Sequence, residues 1–449
     1  MMNIITSVEK FFKNFLPSPF SIAILLTLLT ILFAYIAQSN ESSDSILEIV
    51  QYWERGIWDK ALMVFALQMM LMLVLGYSLA LSKPIENFIN YFLKFCGSNS
   101  RAALIITFLT ILISLLNWGL GLIFGAIFVK KVGIYASKNN IKINYPFLGA
   151  CGYSGLMVWH GGLSGSAPIK IAEKGHFLSD KIGVISLEET IFSDLNITVS
   201  VLLIFIVPSI MYFLAKKIKV AEHVISVENK TSENTNNKTL SEKIDNSFIF
   251  SKIIGTLLLI YLLIKHMYIT NGSFIASINP NLINLWLLSF CIFSHKNLSS
   301  FIKSVNKAII SATGILIQFP LYFGIMGIMK YSGLINVLSD FFISISSENT
   351  FPIFTFLSAG LVNIFVPSGG GQWAVQGPII VEAANYLNLS ISKSVMALAY
   401  GDQITNMLQP FWALPLLGIT KINAKDLLPY TLILLLIGSV IFITCLLIF

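Results

Sequence analysis

The chain has 449 residues, of which 55% are hydrophobic and only 11% are charged. About a quarter of the residues of a soluble globular protein are charged, so this composition excludes one large water-soluble domain. The net charge of +7 is typical of a membrane protein with lysine-rich cytoplasmic loops, and it does not indicate a nucleic-acid partner. The sequence therefore predicts a multi-pass protein whose main surroundings are the lipid bilayer.

Uninterrupted apolar runs predict the membrane-crossing helices, because a bilayer core requires about 20 apolar residues in a row. In chain order these runs are 19–38, 61–82, 195–214, 253–269, 282–294, 308–329 and 427–449. No site for signal-peptide cleavage follows the first run, so it is predicted to be a helix of the protein itself. The four cysteines lie in or beside apolar stretches without metal spacing, which is typical of small buried hydrophobic residues.

Four further apolar segments are interrupted by glycine, proline and amide residues. They are 101–135, 145–167, 350–386 and 394–419. Non-helical backbone at membrane depth survives only where protein or a water-filled cavity satisfies its polar groups. We therefore predict two re-entrant hairpins, 101–135 and 350–386, and two broken helices, 145–167 and 394–419, which together build a substrate site.

The positive charges predict the orientation. If the N-terminus is cytoplasmic and both hairpins return to the side from which they enter, most of the 29 lysines and arginines fall on the cytoplasmic side. The C-terminus then lies outside. If either hairpin were a single crossing, the orientation of every later segment would be reversed, and the excess of positive charge on the cytoplasmic side would be lost.

The order of these segments predicts an inverted-topology repeat. Residues 1–215 form the first repeat, 216–247 a polar cytoplasmic linker, 248–279 a connecting transmembrane helix, and 280–449 the second repeat. An amphipathic surface stretch precedes each hairpin. The predicted fold class is an all-α polytopic membrane protein with two hairpins, two broken helices and an elevator-type carrier architecture.

The most informative motif follows the middle of the second hairpin, where three glycines come after a serine. Free backbone amides at a helix start favour an anion such as a carboxylate. The residues predicted to contact substrate here are Asn363, Ser368, Gly369, Gly370, Gly371, Gln372 and Trp373. The alternative is a packing motif, because small residues also let membrane helices approach each other closely.

The first hairpin and the first broken helix supply the remaining predicted substrate contacts. The expected tip of the hairpin carries Asn117, Trp118 and Gly119. The alternative is that the glycines here are needed only for the turn, which would give the same sequence pattern. Ser154 and His160 lie in the glycine-rich broken helix. A histidine at membrane depth contacts either substrate or a proton, or is a hydrogen-bonded structural residue.

Asp402 in the second broken helix is the predicted ion-coupling residue, and Asn406 lies one turn further on the same face. A carboxylate at membrane depth is costly and usually faces a pathway, a cation or a partner. The alternative is a helix cap near the membrane interface. Phosphate-loop, zinc-protease and nucleophile-triad motifs are lacking, so the chain is predicted not to be an enzyme. The coupling ion is H⁺ or Na⁺, with no other cofactor and no metal site.

Three runs carry a resemblance to a known family. VPSGGGQWAVQGPI at 366–379, GYSGLMVWHGGLSGSAP at 152–168 and NWGLGLIFGAIF at 117–128 resemble the signature stretches of the AtoE-type short-chain fatty acid transporters. The resemblance covers nearly the whole chain. It implies a bacterial inner-membrane carrier for short monocarboxylates such as acetoacetate or butyrate, and kinship with the ion-transporter superfamily of elevator carriers.

The combined prediction is a secondary transporter of short monocarboxylates. The carboxylate is expected between the hairpin tips, with the acyl tail against Trp118, Trp159 or Trp373. One alternative is another organic anion such as a dicarboxylate, although no lysine lies in the core of a broken segment. The other is a membrane-embedded enzyme or channel. A homodimer is left open as the oligomeric state.

Overall fold

The computed structural model describes residues 19–37, 45–221, 239–269, 275, 278–408 and 412–449. Its regular elements are helices, and the only strand-like feature in this part of the chain is an isolated bridge between Ile143 and Ala221. Among the described residues, seven continuous helical stretches are long and apolar enough to cross a membrane, one of them being Leu298–Tyr331. The predicted all-helical membrane fold is confirmed.

The first half consists of helices and two short 3₁₀ turns, Ser154–Met157 and Trp159–Gly161. In order, the helices are α1 (Pro19–Ile36), α2 (Ile46–Ile57), α3 (Lys60–Ala80), α4 (Lys83–Leu93), α5 (Asn99–Leu116), α6 (Trp118–Lys138), α7 (Tyr145–Tyr153), α8 (Ser166–Ile171), α9 (Ser179–Ile182) and α10 (Asp194–Lys217).

The second half follows a short helix and a longer connecting helix, α11 (Leu240–Asp245) and α12 (Phe248–Ile269). Its helices are α13 (Pro280–Ser294), α14 (Leu298–Ala308), α15 (Thr313–Tyr331, after the 3₁₀ turn Ile309–Ala312), α16 (Leu334–Ile345), α17 (Phe351–Phe365), α18 (Gly369–Tyr386), α19 (Ile391–Thr405), α20 (Leu414–Thr420) and α21 (Ala424–Ile448).

The two halves repeat one order of elements. A helix, a short amphipathic helix, a long helix and a surface helix are followed in each half by a hairpin, a broken helix and a final long helix. The inverted relation of the halves, and the domain bounds built on it, stay predictions. Most of the predicted linker, residues 222–238, lies outside the described residues.

Both predicted hairpins are helix pairs with a break between them. α5 packs on α6, and Asn117 alone separates them, with φ −155° and ψ 127°. Residues 366–368 separate α17 from α18. Each helix of the first hairpin is long enough to span a bilayer, so its re-entrant placement also stays a prediction.

Burial separates a centre from a lipid-facing rim. The apolar window of α6 is 72% buried, whereas that of α12 is 17% buried although its hydropathy is higher. α12 packs on α13, and large side chains such as Leu257 and Ile249 point away from the protein. A helix that is apolar on its exposed face is stable in lipid, so α12 lies at the rim and α6 at the core.

The sequence did not predict the amphipathic helices α2 and α14, nor the short helices α9 and α11. Ser45 and Glu48 form a capping box that starts α2. α2 packs on α15 through a close contact between glycines, since a Cβ on Gly56 would lie 2.8 Å from Cα of Gly327. The two halves are therefore joined by backbone contact between helices far apart in sequence.

Candidate functional site

The four interrupted segments meet around one narrow cavity. It encloses about 350 Å³ of unfilled space, a figure that includes its mouth. It is lined by Met69, Trp118, Leu156, Trp159, Ser166, Ile315, Phe319, Ser368, Gly369, Gly370, Asn406 and Trp412. None of the described lining residues carries a charge, so any ligand here is held by hydroxyl, amide and apolar groups.

The start of α18 forms one wall of the cavity. Ser368 is the N-cap, and its Oγ accepts a hydrogen bond of 3.2 Å from the amide of Gly371. The first turn of any helix leaves amides without intrahelical partners, and the helix dipole adds positive potential there. The wall therefore suits the negative end of a ligand.

Aromatic rings lie directly against the first glycines of α18. A Cβ on Gly369 would lie 2.7 Å from Cη2 of Trp159, and one on Gly370 would lie 2.8 Å from Cε2 of Phe319. Real Cβ atoms do not approach other atoms so closely. The glycines are therefore required because the rings occupy the space that side chains would need.

Three tryptophans from different segments cluster beside this wall. The rings of Trp118 and Trp159 lie 5.6 Å apart, and Trp118 meets Trp412 edge-on at 5.0 Å. Trp159 also stacks on His160, with ring centroids 4.4 Å apart and nearly parallel planes. The cluster brings the tip of the first hairpin to both broken helices and gives the cavity apolar sides.

His160 and Asp402 lie next to each other behind the cavity. Nδ1 of His160 is 3.8 Å from Oδ1 of Asp402, and the two side chains are 0% and 1% exposed. Within the described part of the chain, neither carboxylate oxygen of Asp402 has a hydrogen-bond partner. An ionised carboxylate without partners is costly in such surroundings, and the predicted ion-coupling role of Asp402 stays a prediction.

Hydrogen bonds tie the two broken helices to each other. The amide of His160 donates to Oε1 of Gln403 at 2.8 Å, and the hydroxyl of Tyr153 donates to the carbonyl of Asn406 at 3.1 Å. Nε2 of His160 accepts from the amide of Ala167 at 3.2 Å.

Further partners of the irregular backbone at 154–165 come from α5, where the carbonyl of Leu115 accepts from the amide of Leu163, and from α10, where Asn196 donates to the carbonyl of Gly161. A break at membrane depth requires such partners.

Of the predicted residues, Trp118, Ser368, Gly369, Gly370 and Asn406 line the cavity. His160 lies against Gly369, with Cε1 2.9 Å from the position of an added Cβ. These six residues are brought together by the structure, and Asp402 adjoins them through His160.

Other predicted residues of the hairpins and broken helices have structural positions. Asn117 caps α6 by accepting from the amide of Leu120 at 2.8 Å, and Gly119 packs on Leu73. Ser154 donates to the carbonyl of Cys151 at 2.7 Å. These three do not line the cavity, and their role as substrate contacts stays a prediction.

The rest of the predicted set is bound to neighbouring helices. Asn363 donates to the carbonyl of Asp402 at 2.8 Å and so joins α17 to α19. Gln372 donates to the carbonyl of Ala359 at 2.9 Å. Gly371 packs on Tyr322, and Trp373 packs between Phe177 and Gly377. Their predicted substrate role is likewise not tested by this geometry.

Sequence reasoning missed the part of the cavity that comes from plain spans. Met69 comes from α3, and Ile315 and Phe319 come from α15. It also missed Lys170, which lies three residues beyond the first predicted broken segment and is only 2% exposed. Lys170 pairs with Glu173 at 2.6 Å. In the sequence, an apolar residue of a long span gives no indication that it lines a cavity. A lysine one turn after Ser166 does give an indication.

A wider cleft lies on one side of the cavity. It holds about 1270 Å³ of unfilled space, open regions included, and runs between α1, α3, α6, α15 and α20. Trp412 lines both voids. The other walls of the cleft are mostly apolar, with Tyr77, Ser311 and Gln318 among its polar members.

Two solved structures share the fold. MtrF of Neisseria gonorrhoeae, described as illuminating a class of antimetabolite efflux pumps, has a TM-score of 0.59 and 14% identity, with 99% of this chain and 97% of that chain covered. The YdaH transporter of Alcanivorax borkumensis, described as having an unusual topology, has a TM-score of 0.61 and 14% identity, with 95% and 98% covered.

Sequence relatives are much closer. A protein of Escherichia coli K12, provisionally named a short-chain fatty acid transporter, is 36% identical over 444 residues, 97% of each chain. A protein of Haemophilus influenzae with the same provisional name is 34% identical over 449 residues, again with 97% of each chain covered. The short chain fatty acid transporter family profile matches residues 1–449. This chain belongs to the short-chain fatty acid transporter family, a family of membrane transporters and not of enzymes.

Proposed function

We propose that the chain is a secondary active transporter of short monocarboxylates such as acetoacetate or butyrate across the bacterial inner membrane. The observation that carries the proposal is the uncharged cavity in which the first turn of α18 meets Ser166 and Asn406. The names of the two relatives point to the same class of substrate.

The carboxylate end would lie at the start of α18. Amides of the first turn and the hydroxyls of Ser368 and Ser166 can donate hydrogen bonds to it, and the helix dipole favours its charge. No lysine or arginine is among the described residues that line the cavity. A site without charged side chains binds one carboxylate without a strong ion pair. Such an ion pair would slow release of the substrate, so its absence from the described lining residues suits a carrier.

A dicarboxylate is the competing substrate because Lys170 is buried one turn beyond Ser166 on α8. Lys170, however, already pairs with Glu173 and also donates to Gln68 at 3.3 Å. With its charge balanced by Glu173, it offers little to a second carboxylate. This arrangement supports a monocarboxylate as the substrate.

The coupling ion would act at Asp402. Both of its oxygens lie buried without hydrogen-bond partners in the described part of the chain, beside the imidazole of His160. Because an ionised carboxylate is costly there, we propose that Asp402 carries a proton in this conformation. Na⁺ is the alternative ion, and hard cations prefer several oxygen ligands rather than a ring nitrogen.

We further propose that the hairpins and broken helices move as one body against the other helices, with the N-terminus in the cytoplasm and the C-terminus outside. Such motion would carry the cavity past α3 and α15, whose side chains contribute Met69, Ile315 and Phe319 to its walls. A homodimer would give the stationary helices a fixed partner in the membrane, and its existence is part of the proposal.

Purified protein in liposomes tests this function. Labelled butyrate and acetoacetate are offered under an imposed proton gradient, under a sodium gradient at equal pH, and with both gradients collapsed. We expect proton-driven accumulation that Ser368→Ala reduces about tenfold and that Ser344→Ala, on the exposed face of surface helix α16, leaves unchanged. Absence of transport of either acid, in uptake and in efflux from loaded liposomes, would refute the proposal.

Asp402→Asn separates coupling from binding. The amide keeps the shape of the side chain but cannot release a proton, so accumulation against a gradient should be lost while exchange of labelled for unlabelled butyrate persists. If proton-driven accumulation survives in this variant, Asp402 is not the coupling group.

A further inference from the structure

The walls of the cavity differ in chemistry according to which helices supply them. Its polar side chains, Ser166, Ser368 and Asn406, come from the broken helices and the second hairpin. The long helices α3 and α15 supply only Met69, Ile315 and Phe319. The interrupted segments also supply the apolar side chains Trp118, Leu156, Trp159 and Trp412, so the wall from α3 and α15 is distinct in having no polar side chain. A ligand held by its charged end at Ser166 and Ser368 can rest its apolar end on α3 and α15.

Phe319 is the most firmly held part of this apolar wall. It is 2% exposed, and its ring lies 6.3 Å from that of Phe65 and 5.7 Å from that of Phe323. On its other face it meets Gly370, where an added Cβ would lie 2.8 Å from Cε2. Because neighbours contact the ring on several sides, it cannot swing away to admit a longer ligand.

The wall stands close to the proposed carboxylate position. Gly370, which Phe319 contacts, belongs to the first turn of α18, whose amides would hold the carboxylate. Ile315 continues the same face of α15 one turn earlier. The space for an acyl chain between this turn and the wall is therefore short.

We propose that Phe319, with Ile315 beside it, is the end wall that limits the acyl chain and makes the transporter select short acids. This inference rests on the proposed function. Behind the ring lie further aromatic side chains, Phe65 among them. Removing the ring would therefore open a dry apolar space, which methylene groups fill favourably and water does not.

The test compares two buried phenylalanines. Phe319→Ala opens the cavity, whereas Phe128→Ala removes an equally buried ring on α6 that does not line it. Unlabelled butyrate, hexanoate and octanoate compete with labelled butyrate for uptake by each protein. For Phe319→Ala we expect competition by the longer acids to improve about fourfold for each methylene that the new space covers, relative to butyrate. For Phe128→Ala the order of competition should be that of the wild type.

Milder variants keep the test usable if Phe319→Ala does not fold. Phe319→Leu and Ile315→Ala should shift the preference in the same direction by smaller factors, and ligand-dependent thermal stabilisation provides a readout without transport. An unchanged chain-length preference in all three variants, with wild-type transport of butyrate intact, would overturn the end wall alone. Wild-type protein that neither transports nor binds any of the acids would overturn the proposed function together with it.

Discussion

Gly370 and Gly418 are helical glycines with opposite surroundings. A Cβ on Gly370 would lie 2.8 Å from Phe319 and 3.1 Å from Phe65, whereas nothing lies within 4 Å of one on Gly418. We expect Gly370→Ala to destabilise the protein by about 1–3 kcal/mol through overpacking and to abolish uptake. Gly418→Ala should keep uptake and gain up to about 1 kcal/mol, because alanine is the better helix former. Thermal unfolding and butyrate uptake are measured for both variants. Normal uptake by Gly370→Ala would mean that the rings of Phe319 and Phe65 move aside for the added methyl group.

Glu86, on surface helix α4, makes the stability of the protein depend on pH. Hydrogen bonds from Lys83 and Lys131 lower the pKa of its carboxyl from 4.5 to about 2. Its folded-state pKa is depressed, so its stabilising contribution is complete above pH 4.5 and is lost as the pH falls towards 2. The carboxylate is partly exposed, so this contribution is at most about 1 kcal/mol.

Glu86→Gln tests that dependence. Between pH 5 and pH 3 the melting temperature of the wild type should fall more than that of the variant, because only the wild type protonates this group. Equal slopes would show that the ion pairs joining surface helix α4 to α6 contribute nothing measurable.

At the scale of elements, Asn117 holds the turn of the first hairpin. Its Oδ1 accepts from the amide of Leu120, and its Nδ2 donates to the carbonyl of Met72 at 3.4 Å. Asn117→Ala should cost about 1 kcal/mol, because the cap is lost, and Asn117→Ser should cost less because serine also caps well. If instead both variants unfold like the wild type but lose butyrate binding, Asn117 is the substrate contact that the sequence predicted.

The helix breaks could be predicted because their cause is local. Helices end at Asn117, at residues 366–368 just before the three glycines, and at the glycine-rich stretch after Tyr153, and each of these interrupts an apolar run. Amphipathic α2 was missed because its partner surface, α15, lies far away in sequence and meets it through Gly56. What fixes the position of α2 is this distant contact, which its own residues do not encode.

The candidate site was predictable only where its residues come from the interrupted segments. Ser368, His160 and Asp402 are conspicuous in a membrane segment because polar groups there are costly. Phe319 is one aromatic residue within an apolar span, and only packing decides that its ring faces the cavity. Asn363, also conspicuous in the sequence, donates its amide to the carbonyl of Asp402 in α19, and its substrate role stays a prediction.

At the scale of the whole molecule, the cavity is bordered differently on its two sides. One side leads to the wide cleft along Leu73 and Tyr77, which lie towards the Ala80 end of α3. That end faces the cytoplasm in the predicted orientation. The other side carries a polar cluster of Gln68, Lys170, Glu173 and Asn281, in which Gln68 and Lys170 are buried and Asn281 is exposed. A carrier that alternates access would be open on one side only in a given conformation, so we expect this cluster to close its side.

This polar cluster joins the broken helix α8 to α3 and to α13. Gln68 donates to Glu173 at 2.8 Å and to Asn281 at 3.0 Å, while Lys170 pairs with Glu173. Opening this side would separate α8 from its partners and break these bonds. Removing one member of a buried ion pair costs about 3–5 kcal/mol, whereas replacing both by apolar residues is often neutral.

We therefore expect Lys170→Met to destabilise the protein strongly and the double variant Lys170→Met, Glu173→Leu to recover most of that loss. The double variant should also open the closed side more often, because no polar contacts need to be broken there. Ser166→Cys reports this, since it places a thiol at the cavity while the four native cysteines are buried. An impermeant thiol reagent should label the parent protein from the cleft side and the double variant from both sides. Labelling from one side only in the double variant, with its stability recovered, would mean that other contacts hold this side closed.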